Sequence, residues 1–137
     1  MKLNWTAIGA SFVTTTVLAI VFGLYLPKNV DLISPVIGGL IAGYIVGGSY
    51  TDGLVNGGIP AGIGGMVSLT TSILLTSSQI TNLAYSLGYT GSKETLFVAL
   101  IVGSVVVGFA LFFVFGIIGS IIGVKLKLNK NKTSKSD

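Results

Sequence analysis

The residues able to do chemistry are few. Four acids (Asp31, Asp52, Glu94, Asp137) and eight lysines carry all the charge of the 137 residues, and His, Cys and Arg are absent. Without His there is no ordinary general base near neutral pH and the commonest metal ligand is missing. Without Cys there are no thiolates, disulfides or cysteine-bound metals. Hydroxyls cluster at Thr14-Thr15-Thr16 and Thr70-Thr71-Ser72. No carboxylate, Lys or His accompanies them in sequence to make a nucleophile. They either bond their own helix carbonyls or line a polar path, for which Thr15, Tyr44 and Thr71 are the candidates. One acid supplies too few ligands for a cation site, so Asp52 is expected to cap the helix that begins at Gly53. These residues lead to the expectation of no catalysis, no cofactor and no metal.

The densest pattern is glycine. Residues 37 to 65, "IGGLIAGYIVGGSYTDGLVNGGIPAGIGG", hold 11 of the 20 glycines. A phosphate loop would be followed by Lys-Ser/Thr, which does not occur here. A flexible linker would be polar, whereas these glycines alternate with Ile, Leu, Val and Ala. Packing is the reading that fits. Gly39, Gly43 and Gly47 fall four apart, as do Gly53, Gly57, Ala61 and Gly65, and Gly119 and Gly123 repeat the spacing late in the chain. Small residues at that interval form a groove in which helix backbones approach closely. Ser11, Thr15, Ala19 and Gly23 form a milder stripe. "GGLIAG" at 38–43 and "GGIPAG" at 57–62 also share GGxxAG. Such repeats mark either two helices that touch or a transport site between broken helices.

These groups sit in a strongly apolar chain, 51% hydrophobic and 9% charged, against about 25% charged in a typical soluble domain. The charges lie outside the long apolar runs, as in a multi-pass membrane protein. The sequence predicts an all-α fold, a four-helix transmembrane bundle with a glycine-rich central hairpin turning at "SYTDG". The expected helices are about 5–26, 35–49, 54–76 and 95–124. Pro27 closes the first, Ser34 and Pro35 open the second, Pro60 kinks or interrupts the start of the third, and Ser92 caps the fourth. The second is short against the roughly 20 residues of a usual span, and the fourth is long enough to tilt, bend near Gly116 or project into water. Residues 77–94 either form an interfacial amphipathic helix on Ile80, Leu83, Ala84 and Leu87 or extend the third span. The bundle is expected to fill a single domain, 1–127, followed by a disordered Lys-rich tail, 128–137.

Four spans put both termini on one side. Lys2 and the tail lysines 125, 127, 130, 132 and 135 then share a side, against Lys28 and Lys93 on the other. That asymmetry predicts cytoplasmic termini in a cell-membrane protein. Trp5, Tyr25, Tyr50, Tyr85 and Tyr89 fall at expected interfaces, and Tyr44 falls inside the second segment. Lysines confined to a juxtamembrane tail suit an anionic leaflet rather than nucleic acid. The expected partners are the lipid bilayer and either further copies of the chain or a larger membrane complex.

"NWTAIG" at the start, then "GGLIAGYIVGGSYTDGLVNGGIPAGIGG" and a last glycine-punctuated apolar helix, resembles an archaeal membrane-protein family, domain of unknown function 5518. The resemblance covers roughly residues 4 to 124. It implies a small four-helix membrane protein with no assigned activity and no catalytic residues. The Lys-, Asn- and Ile-rich composition without Arg suits an AT-rich genome such as a methanogen's. Two functions follow from the residues: a non-enzymatic protein acting through helix packing or assembly, and alternatively a passive channel or carrier for a small solute.

Overall fold

The computed structural model describes residues 2–25 and 30–134. Pro27, Lys28 and Lys135, and the expected end of the first helix at 26, lie outside the described residues. The chain is all-α, and among the described residues there is no strand. Four helices make the fold: α1 (Trp5–Tyr25), α2 (Ile33–Val46), α3 (Tyr50–Ser86) and α4 (Lys93–Thr133). Of these, α1, α3 and α4 are long and apolar enough to cross a membrane. α2, with 14 residues, is only about 21 Å long against a hydrocarbon core of about 30 Å.

The helix ends follow from local chemistry, not always as expected. Asn4 accepts the Ala7 N–H at 3.1 Å to start α1. Ser92 accepts the Thr95 N–H at 3.2 Å to start α4, as predicted. The cap of α3 is Ser49, which accepts the Asp52 N–H at 3.1 Å. Asp52 is therefore a capped first-turn residue rather than the cap. Ser34 lies inside α2 and gives its hydroxyl to the Asp31 carbonyl at 2.6 Å, because a 3₁₀ turn at Val30–Leu32 leads into the helix. α2 ends at Gly47, left-handed at φ 56°, whose N–H closes on the Gly43 carbonyl.

α3 is interrupted early. Leu54–Gly58 forms a π turn, and the regular α-helix resumes at Ile59 with Pro60 in its first turn. Proline has no N–H to give to the preceding turn, so the backbone there widens instead of continuing in α geometry. The helix then runs on to Ser86, so residues 77–86 extend the third helix. α4 runs on to Thr133, through residues expected to be a disordered tail. Lys and Leu are good helix formers, and Lys130 and Lys132 in the last turn complement the helix dipole.

The helices alternate in direction. α1 and α3 start at one end, where Asn4 meets Asn56, and α2 and α4 finish there. α1 packs on α2 and α3; α4 packs on the same two from the other side. The interior is made of small residues: Ala7, Ser11, Thr15 and Ala19 from α1, and Gly108, Gly116, Gly119, Ser120 and Gly123 from α4. Phe112 and Val124 are the large apolar side chains buried among them, and many others face outward, among them Val13, Val17, Leu24, Val98, Val102 and Val106. Water would penalise that arrangement. Lipid tails do not, and small residues inside then allow the close helix contact that holds membrane bundles together. The chain is built as a membrane protein.

Candidate functional site

The nine small residues expected to mediate packing all lie in helix contacts: the seven on α2 and α3 face α4, and Gly119 and Gly123 of α4 face α2. A Cβ on Gly39 would fall onto the Gly116 carbonyl, and one on Gly43 onto the Ser120 carbonyl. From the opposite side, a Cβ on Gly119 would fall onto the Val36 carbonyl and one on Gly123 onto that of Leu40. α2 and α4 thus meet backbone to backbone along the glycine face of each. On α3, Gly53 faces Val124, Gly57 faces the Ser120 hydroxyl, Ala61 faces Gly116 and Gly65 faces Phe112. The Phe109 and Phe113 rings, stacked 5.5 Å apart, cover Gly62 and Gly58.

The predicted hairpin is corrected in one respect. Its two glycine stripes were expected to face each other across adjacent helices. They touch where Gly57 approaches the Gly39 carbonyl, but most of each stripe faces α4. Spacing reveals that a helix has a narrow face; it does not say which neighbour fills it.

The π turn is the chemical focus of the interior. Widening a helix leaves carbonyls without regular partners, and a buried unpaired carbonyl costs about 1–3 kcal/mol. Two serines from neighbouring helices donate to carbonyls at the two ends of the turn. Ser120 of α4 donates to the Gly53 carbonyl at 2.5 Å, and Ser11 of α1 donates to the Gly57 carbonyl at 3.0 Å. Asn56, fully buried within the same turn, accepts the Asn4 N–H at 2.7 Å. Its amide donates to the Lys2 carbonyl at 2.9 Å and the Asp52 carbonyl at 2.6 Å. The N-terminal residues are so fastened to the start of α3. The Lys2 N–H also donates to Asp52 at 2.9 Å, and this hydrogen bond, followed by that of Ser49, holds the carboxyl below the usual carboxylate range. Asp52 stands in the polar turn before the apolar stretch of α3. Sequence reasoning passed over Asn56, although an amide between Val55 and Gly57 in an apolar run signals a polar group that must find partners.

The three candidates for a polar path are not brought together. Thr15 is fully buried against Gly38, and its hydroxyl, like that of Thr16, has no partner. Thr71 lies further along, lining a small cavity of about 80 Å³ with Ile20, Gly23 and Leu24. Tyr44, expected inside the second segment, stands in the last turn of α2. It is exposed at the opposite end, its hydroxyl 3.5 Å from the Lys130 ammonium. α2 is short and lies low beside α4, so its last turn is level with the lysines. There Lys127 lays its stem across Gly47, holds its ammonium 5.9 Å from the Tyr44 ring centroid and donates to the Ile45 carbonyl at 2.8 Å. A lysine at a helix C-terminus satisfies carbonyls that the helix cannot.

A cleft of about 400 Å³ opens at the far end between Ser77, Ser78, Thr81 and Asn82 of α3 and Lys93 and Glu94 of α4. Among the described residues, no group of three His, Cys, Asp or Glu is close enough to hold a metal ion.

Comparison with known proteins adds one positive result. No curated protein and no solved structure matches the chain. A family model described as "Family of unknown function (DUF5518)" matches residues 5–126, which include all four helices up to the lysine-rich end of α4. The chain belongs to the family of unknown function DUF5518.

Proposed function

We propose that the chain is a non-enzymatic, multi-pass protein of the cell membrane that acts through its packed helices, alone as an oligomer or within a larger membrane complex. The observation that carries this reading is the use made of the interior. Its glycines are occupied by backbone contact with α4, and Ser11, Asn56 and Ser120 are all committed to backbone groups. Little is left inside to recognise or convert a substrate, and the chain has neither His nor Cys. The separation of Thr15, Tyr44 and Thr71 weighs against the channel reading. The lysine excess at the end shared by Lys2 and the α4 tail supports cytoplasmic termini.

Size-exclusion chromatography with light scattering on Gly43→Leu and Gly57→Leu tests the packing role. Loss of the native assembly or of the folded monomer is expected, and unchanged size and thermal stability in both variants would remove the basis of the reading. Liposomes loaded with ions, glycerol or small metabolites should show no protein-dependent flux; a clear flux would restore the alternative.

A further inference from the structure

Past Val124, where the interior of the bundle closes, α4 continues for about two and a half turns that carry Lys125, Lys127, Lys130 and Lys132. At about 100° per residue these stand at about 0°, 200°, 140° and 340° around the axis, so they occupy opposite sides of the helix. The side toward α2 holds Lys127, on the Ile45 carbonyl, and Lys130, on the Tyr44 hydroxyl. The other side holds Lys125 and Lys132, both exposed. The band of exposed large apolar residues reaches Ile121, Ile122 and Leu126, so it ends among the first of these lysines. The same end of the bundle carries Lys2 and one described acid, Asp52, which is occupied by the Lys2 N–H.

We propose that this end of α4 is a collar for anionic phospholipid headgroups. Lys125 and Lys132 make the lipid contacts, while Lys127 and Lys130 are drawn inward to fasten α2. Their place points to lipid rather than a soluble polyanion. Lys125 and Lys132 stand within about 20° of each other, on the side of α4 that carries the exposed Ile121 and where the outward apolar band runs out. Long lysine stems are also suited to reaching from that level to phosphate.

The proposal rests on the reading that the chain crosses a bilayer, and the test separates the two. The full chain is reconstituted in vesicles of equimolar phosphatidylcholine and phosphatidylglycerol, extracted in mild detergent, and its retained lipid quantified by mass spectrometry. Phosphatidylglycerol should be enriched several-fold, by up to about fivefold per contacting lysine at low ionic strength. The enrichment should fall to near the bulk ratio for the pair Lys125→Gln and Lys132→Gln, whose surface positions leave thermal stability unchanged. Lys93→Gln, at the far end, should retain it. A wild-type chain without enrichment, or a double variant with full enrichment, overturns the collar. So does polyglutamate that binds the protein in pure phosphatidylcholine vesicles through the same two lysines. A chain that washes off vesicles at alkaline pH instead overturns the spanning reading.

Discussion

Gly39 of α2 and Gly116 of α4 touch through their backbones, with no room for a single added carbon between the Gly39 Cα and the Gly116 carbonyl. The Gly43–Ser120 contact repeats the arrangement one turn further on, and Gly119 and Gly123 return it against Val36 and Leu40. Cα–H groups facing carbonyls at such approach contribute about 0.5–1 kcal/mol each, and the tight backbone contact adds dispersion that lipid tails cannot match.

Gly43→Ala should therefore cost about 1–3 kcal/mol, since the methyl group can be admitted only by moving α4. Gly103→Ala should have the opposite sign. Nothing lies within 4 Å of a Cβ there, so the better helix former should gain up to about 1 kcal/mol. Unfolding of both variants in mixed micelles, followed by circular dichroism, checks the sign of each.

Ser120→Ala and Ser11→Ala each remove a hydrogen bond to the π turn, and each should destabilise by about 0.5–1.5 kcal/mol. Both act on one short stretch of backbone, so the double variant should depart from additivity. A double-mutant cycle on the same unfolding signal measures that departure.

Asn56→Ala should release the N-terminal residues, because it removes the acceptor for Asn4 and the donor to Lys2. Trp5 is the single tryptophan and adjoins the fastened segment. Lower steady-state anisotropy of its fluorescence in the variant is the expected result.

Lys127→Met keeps a stem over Gly47 but loses the hydrogen bond to Ile45, and should cost about 0.5–1.5 kcal/mol. Gly47→Ala should cost more. It forces an L-residue into φ 56°, at about 1–2 kcal/mol, and collides with the Lys127 stem. Faster amide exchange confined to the end of α2 distinguishes a frayed terminus from global loss.

The Asp52 contact should depend on pH. Its carboxyl is held below the usual carboxylate range in the folded chain, so the contact is fully present above that range and is lost as pH falls through the lowered value. The Lys2 amide proton resonance should move upfield over that interval, and Asp52→Ala should abolish the movement.

The helical class, the positions of the apolar segments and the small-residue faces were legible because each depends on short-range spacing. Gly39, Gly43, Gly119 and Gly123 announce narrow faces, and Ser92 announces a cap. The partner of each face was not legible, because the four-residue interval is the same on α2, α3 and α4. Nor was the level of Tyr44, which depends on how low the short α2 sits beside α4. The continuation of α4 past 124 was missed for a different reason. Lysine-rich sequence reads as a solvated tail, although Lys and Leu extend a helix readily once a long helix precedes them. Asn56 and the serine donors answer to a π turn that periodicity does not reveal.

That π turn also acts as a phase correction. An α-helix completes a turn in about 3.6 residues, so a stripe of every fourth residue winds around the helix by about 40° per step. Gly53, Gly57, Ala61 and Gly65 would by themselves drift off the line of α4. A turn closing on the fifth residue takes up more than four residues and winds the stripe back. The extra residue in Leu54–Gly58 keeps both sides of Pro60 in register with one neighbour. Deleting one residue there would leave every other side chain intact and yet swing the rest of α3 by about 100°, turning its glycine face away from α4.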